Sequence, residues 1–185
     1  AKQLLLSASH TDSPMFKLKN DYEAPAFGTY GRLDTEVYGG TILSSWMDRP
    51  LSLAGRAVVR DGNAYRAELF SFDRDLMVIP NVAIHMNRAV NSGYTFNPAV
   101  DMLPLYSMWG ESPTLSDLLA KELGCEKENL VGLDAFVCNR MAGSVWGAAN
   151  EFFSAPRIDN LMCLFGTLNG FLSSAPHPDS LNLWF

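Results

Sequence analysis

The chain has 185 residues, 48% of them hydrophobic and 18% charged, which is enough apolar surface for a sizeable core without disulfide or metal staples. Its 20 acidic residues outnumber 14 scattered basic ones, for a formal net charge of −6, and this excludes a binder of nucleic-acid phosphates, which needs clustered cations. No apolar run approaches the roughly 18 residues that would cross a bilayer, and Cys125, Cys138 and Cys163 show neither disulfide nor zinc-finger spacing, so the expectation is a cytoplasmic protein in a reducing compartment, without a membrane or nucleic-acid partner.

In chain order, QLLLSAS at 3–9 reads as a buried strand of the parallel-sheet kind. Residues 13–34 read as irregular and polar, punctuated by Pro14, Pro25, Gly28 and Gly31. Strands are expected over 37–46, interrupted by Gly39-Gly40, and over 51–60. Asp61-Gly62 then forms a hairpin turn into a third strand over 64–72. Pro80 suits the first turn of a helix, and Ile79, Val82, Ala83, Met86 and Val90 share one face at helical spacing, which predicts a helix from residue 79. Residues 91–102 are turn-rich and 103–108 are a strand candidate. A helix over 112–123 follows, with Leu115, Leu118, Leu119 and Leu123 on one face and Gly124 as its stop.

Residues 133–138 and 144–148 are weaker strand candidates. The last helix is expected over 158–172, with Leu161, Leu164, Leu168 and Leu172 as its buried stripe. SSAPHPDS then reads as a loop and LNLWF as the start of a buried strand. The outer pieces suggest an α/β sheet interrupted by an inserted β domain. Both ends lie in apolar runs, whereas domains ordinarily end in polar segments, so the expectation is a chain truncated at both ends.

His10 and Asp12 follow the first strand in SASHTDSP. Residues two apart in an extended segment project to the same side, so Asp12 can orient the His10 imidazole as carboxylates do for metal-bound histidines. The C-terminal end of a strand in an open α/β sheet is where ligands gather. The plainer alternative is that Asp12 and Ser13 organise a turn before Pro14. Asp159, in APRIDNL, points roughly 170° from the leucine stripe at about 100° per residue. It either favours its helix N-terminus by under about 1 kcal/mol or faces a cation held by His10. His85 lies on the flank of its predicted apolar stripe, and His177 sits between two prolines. No nucleophile elbow, P-loop or dinucleotide glycine fingerprint is present.

SASHTDSP at 7–14, EVYGG at 36–40, SSWMDRPLSLAGRAVV at 44–59, FDRDLMVIPNVAIHMNRAVN at 72–91 and SAPRIDNL at 154–161 together resemble the aspartyl aminopeptidase family of dinuclear zinc exopeptidases. The resemblance runs over nearly the whole chain. It implies a partial zinc-peptidase α/β domain, residues 1–14 and 151–185, interrupted by a β-rich, barrel-like dimerisation domain with helices over 15–150. It implies removal of N-terminal Asp or Glu from peptides by a water that two zinc ions activate. His10 matches a metal ligand, Asp12 the carboxylate that orients it, and Asp159 the carboxylate bridging both metals. His85 matches a histidine that the insert offers to a neighbouring subunit in a dimer or larger homo-oligomer. Two metals about 3.5–4 Å apart repel each other, which is why a bridging carboxylate is needed.

The family pattern also needs an adjacent glutamate pair, with a further acidic ligand and a late histidine to complete the site, and the expectation is that the chain stops at 181–185 within the strand that would deliver the glutamate pair. Glu151 precedes Asp159 and stands alone. The alternative to an enzyme is a non-catalytic self-association module. The expected outcome for this polypeptide by itself is partial zinc occupancy at most and no turnover of an N-terminal aspartyl substrate with zinc added. Metal-dependent hydrolysis in that assay would contradict it.

Overall fold

A computed structural model of the protein describes residues 2–175 and 177–185. Its elements in order are β1 (Gln3–Ser7), β2 (Met15–Ala26), β3 (Tyr30–Tyr38), β4 (Leu51–Asp61), β5 (Ala64–Ser71), α1 (Pro98–Asp101), β6 (Leu105–Met108), α2 (Leu115–Leu123), β7 (Leu130–Asn139), β8 (Ser144–Trp146), β9 (Phe152–Ser154), α3 (Ile158–Ser173) and β10 (Ser180–Trp184). They form two compact units, one of Ala1–Ser13 with Met141–Phe185 and one of Pro14–Arg140. The second boundary falls at Arg140, ahead of the residues 141–150 that the sequence reading assigned to the insert.

The Pro14–Arg140 unit is a six-stranded sheet in the order β5-β4-β7-β2-β3-β6, with every pair antiparallel. Its core is Phe16, Leu33, Leu51, Leu53, Ile79, Leu115, Leu119 and Val137. Asp61 pairs with Ala64 across the Gly62-Asn63 turn, and Gly62 has the φ of +60° that such a tight turn asks of glycine. Gly55 serves close packing instead: a Cβ there would lie 2.7 Å from the Ala135 Cα and nearer still to the Asp134 carbonyl, so β4 and β7 approach without a side chain between them.

The polar stretch 13–34 read as irregular is instead β2 and the first half of β3, paired antiparallel with a register slip between Leu18 and Glu23. Its polar groups have partners across the sheet. Glu23 accepts a hydrogen bond from the Tyr106 hydroxyl and, at 3.3 Å, one from the Leu115 amide at the start of α2. Tyr22 and Ser116 share a hydroxyl contact of 2.8 Å. Partial burial, together with the bond to Glu23, pushes the Tyr106 phenol far above its ordinary value.

The helix predicted from residue 79 does not form. Residues 77–79 are extended bridges and residues 84–93 mostly turns. Pro80 disfavours helical geometry for the residue before it, and Ile79 is used as a buried extended residue, its carbonyl accepting from the Asp48 amide at 2.9 Å. The Asn81 side chain takes the Val82 amide at 2.8 Å, competing with a helical bond. The neighbouring backbone ties two distant strands together: Leu51 N donates to Met77 O at 3.0 Å, and Val78 and Leu105 exchange bonds of 3.1 and 2.9 Å. The strand expected over 37–46 ends at Tyr38 and gives way to a single 3-10 turn at Leu43–Trp46.

In the other unit, β1 and β10 run parallel in register from Gln3–Ser180 to Ser7–Trp184, and β8 pairs antiparallel with β9. The leucine run of β1 and the stripe of α3 were both expected to be buried. Leu4, Leu5 and Leu6 are instead exposed, and no α3 residue is buried among those described. Two strands about 4.8 Å apart make too narrow a platform to cover a helix of 16 residues. The expected loop at 173–180 contains Pro176, which lies outside the described residues.

Helix α2 shows how locally the larger unit is specified. Thr114 Oγ1 accepts from the Asp117 amide at 3.2 Å, while the Asp117 carboxylate accepts from the Thr114 amide at 2.9 Å, forming a capping box. Lys127 donates to both side chains, and Gly124, at φ 61°, closes the helix. The Thr114 hydroxyl, then Lys127, hold the Asp117 carboxyl down at about 2, below its ordinary 3.8. A carboxyl lowered on folding stabilises the fold when ionised, so its contribution is complete above about pH 4 and disappears as pH falls toward 2. Thermal melts of the wild-type chain and Asp117→Asn should therefore differ most above pH 4 and converge near pH 2. Parallel curves through that window would contradict this.

Candidate functional site

The chain leaves β1 at Ser7 with the parallel pairing still intact beyond the strand ends: Phe185 N donates to Ser7 O at 3.1 Å, and Ser9 N to Phe185 O at 3.0 Å. The next residue is His10, so its imidazole sits just past the carboxyl end of a parallel pair, where α/β folds place ligands. Its Nδ1 lies 2.7 Å from Asp12 Oδ1. A neutral imidazole with its proton on Nδ1, donated to that carboxylate, carries its lone pair on Nε2. The ring is 63% exposed, so that nitrogen is reachable.

Asp159 stands at the opening turn of α3. Arg157, at φ 65°, precedes the helix, and Asp159 itself has non-helical angles of −86° and 108°. The bond from Asp159 to Asn160 is cis. Asn160 Nδ2 donates to the His10 carbonyl at 3.4 Å, so the residue following Asp159 touches the residue that carries the imidazole, across 150 positions of sequence. His10, Asp12 and Asp159 thus belong to one unit. His85 belongs to the other, where it lies exposed in a turn at 84–86. Beside it, Val82 and Met86 line a cavity of about 660 Å³ together with Phe27, Tyr94 and Phe96.

The donor chemistry fits part of a zinc sphere. Zinc takes imidazole nitrogen and carboxylate oxygen, usually with four ligands in all, and the carboxylate at Nδ1 is the usual device for orienting a metal-bound histidine. Among the described residues no group of three or more His, Cys, Asp and Glu side chains that could hold a metal ion gathers. Sequence reasoning missed three neighbours: Asn160 on the His10 carbonyl, and the pair Ser9 and Thr167 behind it. The last pair is 158 residues apart, and no short-range pattern announces it.

A family described as aminopeptidase I zinc metalloprotease (M18) matches residues 1–182. A "Probable M18 family aminopeptidase 2" of Clostridium acetobutylicum is 41% identical over 179 residues, which cover 94% of this chain and 41% of that protein. The aspartyl aminopeptidase of Dictyostelium discoideum is 31% identical over 202 residues, covering 91% and 42%. The fold matches the Saccharomyces cerevisiae mApe1 dodecamer structure with a TM-score of 0.75 at 22% identity, over 100% of this chain and 43% of that one. The chain therefore spans about two fifths of the length of the relatives it matches. Among the described residues no helix is long and apolar enough to cross a membrane.

Proposed function

Because the chain belongs to the aminopeptidase I zinc metalloprotease (M18) family, we propose that it serves the zinc-dependent removal of acidic residues from peptide N-termini, with His10 and Asp159 as metal ligands. The observation that carries this reading is the 2.7 Å contact between His10 Nδ1 and Asp12. Asp12 fixes the tautomer and turns the Nε2 lone pair outward. Asn160 holds the main chain of His10 in place. Zinc bound there would supply Lewis-acid activation of water and of the scissile carbonyl. The preference for an acidic N-terminal residue rests on the name of the D. discoideum relative.

The Pro14–Arg140 unit is, in this reading, the inserted barrel-like domain. The bonds of residues 76–79 to both β4 and β6 support closure of its sheet. It serves self-association, for which the dodecamer of the yeast relative is a precedent. Phe27, 94% exposed, and Met86, 72% exposed, offer apolar surface beside the groove, and His85 on the same segment would reach a neighbouring subunit's site. A cytoplasmic location is consistent with Cys125 and Cys163 remaining thiols.

Zinc titration in competition with a chromophoric chelator tests the ligand assignment on this chain. His10→Ala and Asp159→Asn should each remove the measurable affinity. Asp12→Asn should weaken it by about 10- to 100-fold, the range found for outer partners of metal-bound histidines. Unchanged affinity in His10→Ala would refute the assignment.

A further inference from the structure

The Thr167 side chain, midway along α3, has an unusually complete set of partners. A threonine hydroxyl has one proton and two lone pairs. Trp184 Nε1 is 3.2 Å away, and an indole N–H only donates, so Thr167 Oγ1 accepts there. The Cys163 and Leu164 carbonyls lie at 2.9 and 3.1 Å and only accept, so both draw on the single Thr167 proton. Ser9 Oγ, at 3.1 Å, also accepts from the Thr167 hydroxyl, so the one proton is shared between the helix backbone and Ser9. The bond to the preceding turn is ordinary for a helical threonine. The other two are not, because they reach β10 and the residue that directly precedes His10.

We propose that Thr167 is a positioning residue for His10: its hydroxyl locks Ser9 against α3 and β10, and through Ser9 it sets where the imidazole stands. This rests on the reading of His10 as a metal ligand. Asp12 acts on the ring and Asn160 on the His10 carbonyl, so the Ser9 tie fixes the one remaining side, the approach of the chain from β1. All three groups of this knot are half-buried, so a valine in place of Thr167 keeps the shape but leaves the Trp184 N–H without its acceptor and Ser9 Oγ without its donor.

The test uses the full chain as wild type, Thr167→Val, Thr167→Ser, Ser9→Ala and the Ser9→Ala/Thr167→Val double variant. Two quantities are read: zinc affinity by chelator competition, and the His10 imidazole resonances in the metal-free chain. Thr167→Val should weaken zinc about tenfold, the lower end for groups that orient a metal-bound histidine, and should shift the His10 resonances. Thr167→Ser should restore both. Ser9→Ala should match Thr167→Val, and the double variant should add little to either, as partners in one contact do. Wild-type resonances and affinity in Thr167→Val would overturn the proposal, as would additive effects in the double variant. So would a Thr167→Ser chain as impaired as Thr167→Val. If His10→Ala binds zinc like wild type, the ligand assignment fails by itself, and the resonances still decide the role of Thr167.

Discussion

Everything at the candidate site depends on the parallel ladder that joins Gln3–Ser7 to Ser180–Trp184. Without it, His10 has no fixed relation to α3, and Asn160 and Thr167 have nothing to hold. Parallel strands cannot be joined by a tight turn and need a crossover, which here contains the whole of Pro14–Arg140. Closure entropy grows only logarithmically with loop length, and the larger unit reduces it further. Phe16 on its first strand pairs with Val137 on its last, and both are buried. A body that folds with its two ends side by side can interrupt a sheet at little cost to that sheet.

The two units differ in what holds them. All the buried hydrophobic residues among those described lie between Phe16 and Val137. The smaller unit has its leucines and phenylalanines largely in the open, with Leu172 at 70% exposure, and its register is specified by hydrogen bonds. Each such bond is worth only about 1 kcal/mol net. Regions of that kind open locally far more readily than a packed core, so polar ties near His10 matter more here than they would against a hydrophobic floor.

Legibility followed the range of the interaction. The Asp61-Gly62 hairpin, the Gly124 helix stop and the side-by-side placement of His10 and Asp12 are decided within four residues, and all three could be read from the sequence. Ile79 could not: its spacing with Val82 and Met86 suits a helix, but Pro80 and the Asp48 amide draw it into an extended bridge. The polar residues of β2 looked like loop because Glu23 finds its partners, Tyr106 and Leu115, more than 80 positions away. The leucine stripe of α3 shows the converse: helical periodicity was read correctly, but a stripe states which face is apolar, not what covers it.

The same distinction explains how an exposed histidine can be held in one place. A freely rotating imidazole on a surface strand end loses side-chain entropy whenever it is fixed, and burial, the common way of absorbing that loss, is absent for the exposed His10 ring. His10 is instead restrained from three directions that leave Nε2 clear: Asp12 at Nδ1, Asn160 at its carbonyl, and Ser9 with Thr167 on the chain leading into it. Asp12 meets the ring, Asn160 the His10 carbonyl, and Thr167 the residue just before His10. The geometry of one nitrogen is therefore distributed over residues from both ends of the chain, which is why the two-residue spacing of His10 and Asp12 identifies the pair but does not by itself locate it.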